Sequence, residues 1–456
     1  MRFLGIGDSC DLGALYMRLL GDGHDVKVFV GEPLAQGTMA GLVEHTSNWE
    51  KELDWVRAAG EEGIILFENV AQARGALQDT LRKDGFHVIG GSAYGDRLEN
   101  DRAFAQRVLA DIGLQTAKVV EFSDVASAIE FIDEHPARYV LKFNGPNFSS
   151  NDSYVGRLPD GADVRALLRT KFFFEEQAEA LGFILMEHVD GVEMGVGAYF
   201  NGENFIGEAC LDWEHKRFFP GDLGELTGEM GTIATFDRSR AFFGRTLQRM
   251  TPMLAAGGYC GYINLNTIVN QRGIWPLEFT CRFGYPGFAV LSPLQQTRWG
   301  DLFGAMISRK GNVTMLPGFC AAIVLTTPPF PYDRESVEEA SVGLPVMFDG
   351  GLHDHERDHL YYGEVGVVNG QLVTSGMYGW TMVATAAADS IEEARRKAVE
   401  LADKVIVPNV RYRRDIGAGL VAGDFAFVED LGFLDPAFAA KVNGREARAY
   451  GRDQTA

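Results

Sequence analysis

The stretch Tyr262–Gly287, YINLNTIVNQRGIWPLEFTCRFGYPG, alternates apolar and polar residues in two runs separated by a turn, the pattern of a half-buried β-hairpin. In the second run Glu278, Thr280 and Arg282 fall at every other position, so one strand face carries a carboxylate, a hydroxyl and a guanidinium. Asn264 and Asn266 share a face of the first run in the same way. With a three-residue loop of Gln271, Arg272 and Gly273, the glycine taking the left-handed position, Asn266 faces Glu278 and Asn264 faces Thr280. Two readings stay open on this pattern alone. One is the solvated face of an ordinary hairpin; the other is a set of hard oxygen ligands beside an Arg, which suits a magnesium ion clamped on a polyphosphate.

Upstream of the hairpin, CLDWEHKRFF leads into GDLGELTGEMGT, which reads as a Gly- and acid-rich loop. His215, Lys216 and Arg217 form a short cationic cluster there, either a chance surface group or an anion contact. Before it, FILMEHV is a buried strand ending at Glu187; Glu193 precedes MGVGAYF, and NGEN at 201–204 marks a hairpin. Earlier still, RYVLKF places Lys142 inside an apolar run, where a Lys either snorkels or is aimed at an anion. NGPNFSSNDSYVG follows as a loop, a lid or a surface excursion.

The first hundred residues alternate strand and helix in a parallel α/β pattern: RFLGIG, a helix from about Leu12 to Leu20, DVKVFV, a helix from Asn48 to Ala59, GIILF, a helix from Val70 to Lys83, and FHVIGG. Gly5, Gly7 and Gly13 surround the first strand-to-helix turn, where phosphates often bind, yet Asp8 and Asp11 stand where an anion wants no acid. A helix follows from about Glu99 to Ile112. Downstream of the hairpin, PGFCAAIVLTTPPFPYD is a strand ended by prolines, followed by strands at EVGVV, QLVTS and TMVATA and a helix from Ser390 to about Val405. His353, His355 and His359 of HDHERDH have a spacing compatible with a metal but lie in a charged loop between glycines.

Composition narrows the function classes. A net charge of −21 over 456 residues argues against a nucleic-acid or membrane-surface partner, so phosphate must be held by local Lys, Arg, metal or helix N-termini. Five scattered cysteines without a CxxC pair read as reduced thiols. With no leader-like start and no run of about eighteen apolar residues, the expected setting is soluble and cytoplasmic.

Taken together these pieces resemble the glycinamide ribonucleotide synthetases (phosphoribosylamine–glycine ligases) of the ATP-grasp superfamily, over roughly Met1 to Gly419. LEFTCRFGYPG is similar to that family's EFNxRFGDPE, DWEHKRFFPGDLGELTGEMG to its DHKR and TGGMG segment, and RYRRDIG to its FYRKDIG; NGQLVTSG and SIEEARRKAVELADKV match its closing domain. The resemblance implies an α/β and α+β chain: an N-terminal Rossmann-like pre-ATP-grasp domain (1–98), an ATP-grasp domain (99–318, lid about 118–190), a small C-terminal α+β domain (319–425) and an extension (426–456). It implies ATP with Mg2+ or Mn2+ as cofactors. Lys142 matches the Lys that reaches an ATP phosphate, Glu187, His188 and Val189 the hinge against adenine, and Glu193 the acid on the ribose hydroxyls. Glu278 matches a magnesium ligand, aided by Thr280 or Asn266, and Arg282 the Arg facing the transferred phosphoryl group. His215, Lys216 and Arg217, with Thr227, Gly228 and Glu229 and with Gly7 and Asp8 at the first turn, fall on the side of the substrates.

Four departures bear on those substrates. The family's GNGGREHA reads GIGDSCDLG here, losing an Arg and gaining two acids; its GPEAPL is replaced by FENVAQ (67–72); its lid GKGV reads SSNDSYVG without Lys; and Thr280 stands where the family has Asn. The ATP half is mostly kept and the sugar-phosphate half altered. The expected function is an ATP-dependent carboxylate–amine ligase forming an amide through an acyl phosphate. Its substrates are small molecules, and it works as a monomer or homodimer. The alternatives are a divergent ligase for another amino acid and amine, or a non-catalytic nucleotide-binding homologue with a regulatory role.

Overall fold

The computed structural model of the chain describes residues 1–68, 74–143, 153–174, 182–334, 336 and 341–436. The first five strands form an all-parallel sheet in the order Glu44–His45, Asp25–Val30, Arg2–Gly7, Gly63–Phe67, His87–Ile89. Its central strands are apolar on both faces, as RFLGIG and GIILF require when helices cover a parallel sheet from both sides. The first helix spans Gly13–Gly21.

Helix bounds differ from expectation where side chains compete for backbone. The helix expected at 48–59 is a 3-10 turn, Trp49–Glu52, followed by Leu53–Arg57, with the Asn48 side chain accepting from the amides of Glu50 and Lys51. The helix expected from Val70 starts at Gly75; 69–73 lie outside the described residues. The helix expected at 99–112 is two, Ala93–Asn100 and Arg102–Asp111, because Asp101 caps the second by accepting from the Phe104 amide at 2.9 Å.

A four-stranded sheet, in the order Val119–Phe122, Phe183–Glu187, Tyr139–Phe143, Tyr154–Val155, occupies the span expected for a lid. It has its own small core of Ala128, Ile132, Tyr139, Leu141, Val164, Leu168, Phe183 and Leu185. Of the lid loop expected at 144–156, residues 144–152 lie outside the described residues, and 154–155 pair with Val140 and Leu141.

The rest of the chain is organised by one eight-stranded sheet in the order Gly273–Thr280, Gly261–Asn270, Val192–Phe200, Phe205–Phe219, Leu223–Thr235, Phe319–Thr326, Trp380–Ala388, Leu360–Tyr362. The expected boundary at 318/319 falls inside this sheet, since Gly231–Ala234 pair with Cys320–Ile323 and both sides share a core. GDLGELTGEMGT is largely strand rather than loop: from Leu223 it pairs with Phe205–Phe219, with register shifts, and at Gly231 and Thr232 also with Phe319–Thr326. After the last helices, Phe433 packs edge-on against Phe242 and the Arg240 amide donates to Asp435, which ties the start of the C-terminal extension to the body.

The hairpin of the opening stretch forms with the expected partners, Asn266 opposite Glu278 and Asn264 opposite Thr280, by a different route. Gly273 pairs with Asn270, so the loop is the two residues Gln271 and Arg272, and Gly273 takes φ +130°. The missing offset is supplied by a bulge between the Thr267–Pro276 and Asn266–Glu278 pairs.

Glu364 shows how the last segment is fixed. It is buried, and its carboxylate accepts from the amides of Met377, Tyr378, Gly379 and Trp380. In Glu364→Gln an amide NH2 must face these N–H donors. Urea unfolding is expected to show a loss of about 2 kcal/mol, within the cost of leaving buried donors unmet; no loss would mean that these bonds do not hold the segment.

Candidate active site

Glu278, near the end of the second hairpin strand, faces Lys216 at 3.1 Å, which comes from the long strand Phe205–Phe219 three places along the same sheet. The same ammonium lies 3.3 Å from Glu214 and 3.6 Å from Glu193. Lys216, with Lys142 and Arg102 behind it, holds the Glu278 carboxyl at about 2 against the effect of burial. The Glu278 side chain is still 46% exposed, so solvent tempers that pull and leaves one side of the carboxylate toward the cleft. Burial lowers Lys216, and the three carboxylates Glu278, Glu214 and Glu193 outweigh it, raising its pKa well above the ordinary ammonium value.

Lys142 extends from the lid sheet toward the same point. Burial, reinforced by Arg102 and partly offset by Glu278, lowers its ammonium to about 8. Because kcat/KM reports the free enzyme, kcat/KM for ATP is expected to fall as pH rises through about 8, where the ammonium is lost, and Lys142→Arg is expected to flatten that limb. A pH profile unchanged by the substitution would remove Lys142 from the ATP site.

Arg282 lies just past the hairpin. Its Nε donates to Glu99 Oε1 at 2.9 Å, and the Cys281 amide donates to Glu99 Oε2 at 2.9 Å, so Glu99 sets the direction of the guanidinium. The guanidinium lines a cavity with Thr280, Asn264, Asp212, Glu214 and Glu229. Asn264 and Asn266 of the first hairpin strand are turned toward acids: Asn264 Nδ2 donates to Asp212 at 2.6 Å, and Asn266 Nδ2 to Glu214 at 3.0 Å. Asn266 Oδ1 has no hydrogen-bond partner in the structure although it is buried.

At the hinge, the amides of Glu187 and His188 donate to the carbonyls of Lys118 and Arg138, and the Glu187 carboxylate lies 3.7 Å from Arg272. His188 faces Asp190 at 3.3 Å, and Val189 is buried. Glu193 lies in the same cleft; burial raises its carboxyl, opposed by Lys216.

The cationic cluster of the sequence does not converge. His215 accepts from the Gly417 amide at 3.0 Å, and burial with Arg413 nearby lowers its imidazole; Arg217 donates to the Gly224 carbonyl. Neighbours on a strand leave on opposite faces, which is why only Lys216 reaches Glu278. The Thr227 hydroxyl donates to the Lys216 carbonyl at 2.7 Å, and Thr227 and Gly228 border a second cavity with Tyr332, Asp333, Tyr378 and Trp380.

At the first turn, Asp8 pairs with Arg74 and packs over Gly31, while Glu68 fills the space above Gly7. Glu68 accepts from the Asp11 amide at 3.1 Å and from the Tyr16 hydroxyl at 3.0 Å. Burial, then Asp11, pushes its carboxyl up to about 8. The replacement of the family's GPEAPL therefore brings a buried acid to this turn; 69–72 lie outside the described residues.

Sequence reasoning missed Arg102, Glu99, Asp212, Glu214 and Glu68. Arg102 carried a signal: it opens a helix, against the preference of helix N-termini for acids, as an Arg recruited for an anion would. Glu214 was readable too, lying two residues before Lys216 on one strand face. For Glu99 and Glu68, whose partners are 183 and 57 residues away, the sequence carries no local mark.

The oxygen set fits magnesium delivered with a nucleotide. Among the described residues no group of three or more His, Cys, Asp or Glu is arranged to hold a metal alone, the histidines of HDHERDH included. A magnesium ion that keeps phosphate and water ligands needs only one or two carboxylates, and Glu278 with the unpartnered Asn266 Oδ1 provides hard donors.

The fold and this cleft define the class, that of the ATP-grasp ligases. Residues 100–288 match the family described as phosphoribosylglycinamide synthetase, ATP-grasp (A) domain. The phosphoribosylamine–glycine ligase of Pseudomonas aeruginosa is 26% identical over 92% of this chain and 99% of its own length. That of Chlorobaculum tepidum is 26% identical over 84% and 90%. Among solved structures, the phosphoribosylamine–glycine ligase of Thermotoga maritima superposes with a TM-score of 0.67 at 22% identity, covering 91% of this chain and 100% of that one. No helix among the described residues is long and apolar enough to cross a membrane.

Proposed function

We propose that the chain joins a carboxylate to an amine at the expense of ATP, through an acyl phosphate, and that its acceptor is not a sugar phosphate. The observation that carries this reading is the convergence of Lys142, Arg102 and Lys216 on Glu278 from three separate elements, with Arg282 at the neighbouring cavity. A carboxylate is a poor electrophile; transfer of the γ-phosphoryl group makes it an acyl phosphate, and the amine then displaces phosphate.

In this scheme Lys142 and Arg102 hold the nucleotide phosphates, and Glu187, His188, Val189 and Glu193 hold adenine and ribose. Arg282 stabilises charge on the transferred group. Glu278, with Asn266 or Thr280, would hold magnesium, which supplies charge neutralisation on the β and γ phosphates. Residues 99–318 act as the ATP-grasp unit, closed by the lid of about 118–190. We place the reaction in the cytoplasm, where ATP meets reduced thiols; all five cysteines are buried and free. Every group comes from one chain, so a monomer or a homodimer serves alike.

The acceptor side supports the departure from phosphoribosylamine. Asp8, Asp11 and Glu68 line the first turn, and Glu68 fills the space above Gly7 and takes up the Asp11 amide, so room and an amide that a phosphate would use at this turn are occupied. The test is ADP release from ATP and magnesium across a panel of amino acids and amines, with phosphoribosylamine generated in situ as one member. Amino-acid-dependent ADP with non-phosphorylated amines is expected. ADP only with glycine and phosphoribosylamine would restore the purine reaction, and none at all would favour a non-catalytic nucleotide-binding role.

A further inference from the structure

We propose, resting on the ligase reading above, that the cavity beside Arg282 seats a second cationic group of the substrate. The substrate is then an amino acid or amine bearing an ammonium or guanidinium beyond the reacting centre, and Glu229 reads that charge.

Three carboxylates line this cavity: Asp212 and Glu214 from one strand and Glu229 from the next. Asp212 is 5% and Glu229 7% exposed. One oxygen of each, Asp212 Oδ1 and Glu229 Oε1, has no hydrogen-bond partner in the structure. The other Asp212 oxygen accepts from Asn264, and Glu214 accepts from Asn266. Cations do not balance this group. Lys216 is already shared by Glu193, Glu214 and Glu278, and Arg282 is held by Glu99.

A buried carboxylate without a partner is costly unless it is protonated or met by a cation. Burial, followed by the charges of Glu214 and Asp212, pushes the Glu229 carboxyl well up. Asp11, near enough to Arg282 to feel its charge, is buried together with Glu68 at the first turn. An ammonium or guanidinium finds unpaired acceptor oxygens on Asp212 and Glu229, while Arg282 remains for the transferred phosphoryl group. Glu229 also stands where the TGGMG pattern has a Gly, so this carboxylate is an addition to the segment it resembles.

The experiment pairs substrates that differ only in the extra charge. With the full chain, ATP and magnesium, ADP release is measured for ornithine against norvaline and for putrescine against butylamine, with glycine as reference. A preference of about tenfold or more for the dicationic member in kcat/KM is expected. Glu229→Gln is expected to abolish the preference within each pair, and Glu229→Asp to retain part of it. Equal rates within each pair, or a Glu229→Gln loss common to all substrates, would overturn the assignment. Calorimetric binding of ornithine and putrescine in the presence of ADP separates this from the ligase reading. Binding that is lost in Glu229→Gln supports the cation site even if no ADP is ever formed, in which case the ligase reading alone fails. No binding difference between ornithine and norvaline or between putrescine and butylamine sinks the cation site even in an active ligase.

Discussion

Glu278→Gln is expected to lower amino-acid-dependent ADP formation on the order of 10³-fold, because several kcal/mol of charge stabilisation at the transferred phosphoryl group depends on the anionic oxygens of this residue. The amide keeps the shape of the side chain but removes the charge that answers Lys216 at 3.1 Å and that would bind magnesium. Lys216 retains Glu214 and Glu193, and the Glu278 side chain is 46% exposed, so the melting temperature is expected to stay within a few degrees of the parent. The magnesium concentration needed for half-maximal nucleotide binding is expected to rise. Undiminished turnover, or a collapse of the fold in place of turnover, would remove Glu278 from the role given to it.

The second large effect falls on Arg282. Arg282→Ala is expected to reduce kcat by roughly 10²–10³-fold, the usual loss when one preorganised donor to developing charge is removed, with little change in KM for ATP. Glu99 touches the guanidinium rather than the reacting atoms, so Glu99→Gln is expected to cost only about tenfold. Restoration of part of the kcat by Lys in place of Arg282 would point to charge alone, whereas the Nε bond to Glu99 favours the fixed planar fork. If Arg282→Ala altered KM for ATP and left kcat intact, Arg282 would be a ground-state contact and the catalytic role would be lost.

The departures in sequence and the geometry point the same way on the acceptor. Exchange of an Arg for acids at the first turn was legible from GIGDSCDLG, and it gains meaning only when Glu68 is seen packed over Gly7 and bonded to the Asp11 amide and Tyr16. Likewise the retention of Lys142, Glu193, Glu278 and Arg282 was readable in separate motifs, but nothing in those motifs says that Lys216 is the cation shared among Glu193, Glu214 and Glu278.

The sequence by itself determined the elements whose signals are local. Alternation at Tyr262–Gly287 specified a hairpin and the residues that share its face, strand and helix alternation specified the parallel N-terminal sheet, and ordered motifs specified the ATP-grasp class. Local periodicity carries this information because side-chain direction repeats every two residues in a strand and every 3.6 in a helix. Tertiary structure decided the rest. GDLGELTGEMGT became largely strand because the long strand Phe205–Phe219 runs beside it, whatever its own propensity. The hairpin register came from a two-residue loop and a bulge rather than a longer loop. Strands from both sides of 318/319 joined one continuous sheet. Which of the three adjacent cations at 215–217 meets the site, and which acids surround Arg282, were set by pairings between residues tens to hundreds apart in the chain, and such long-range closure leaves no periodic trace in the sequence.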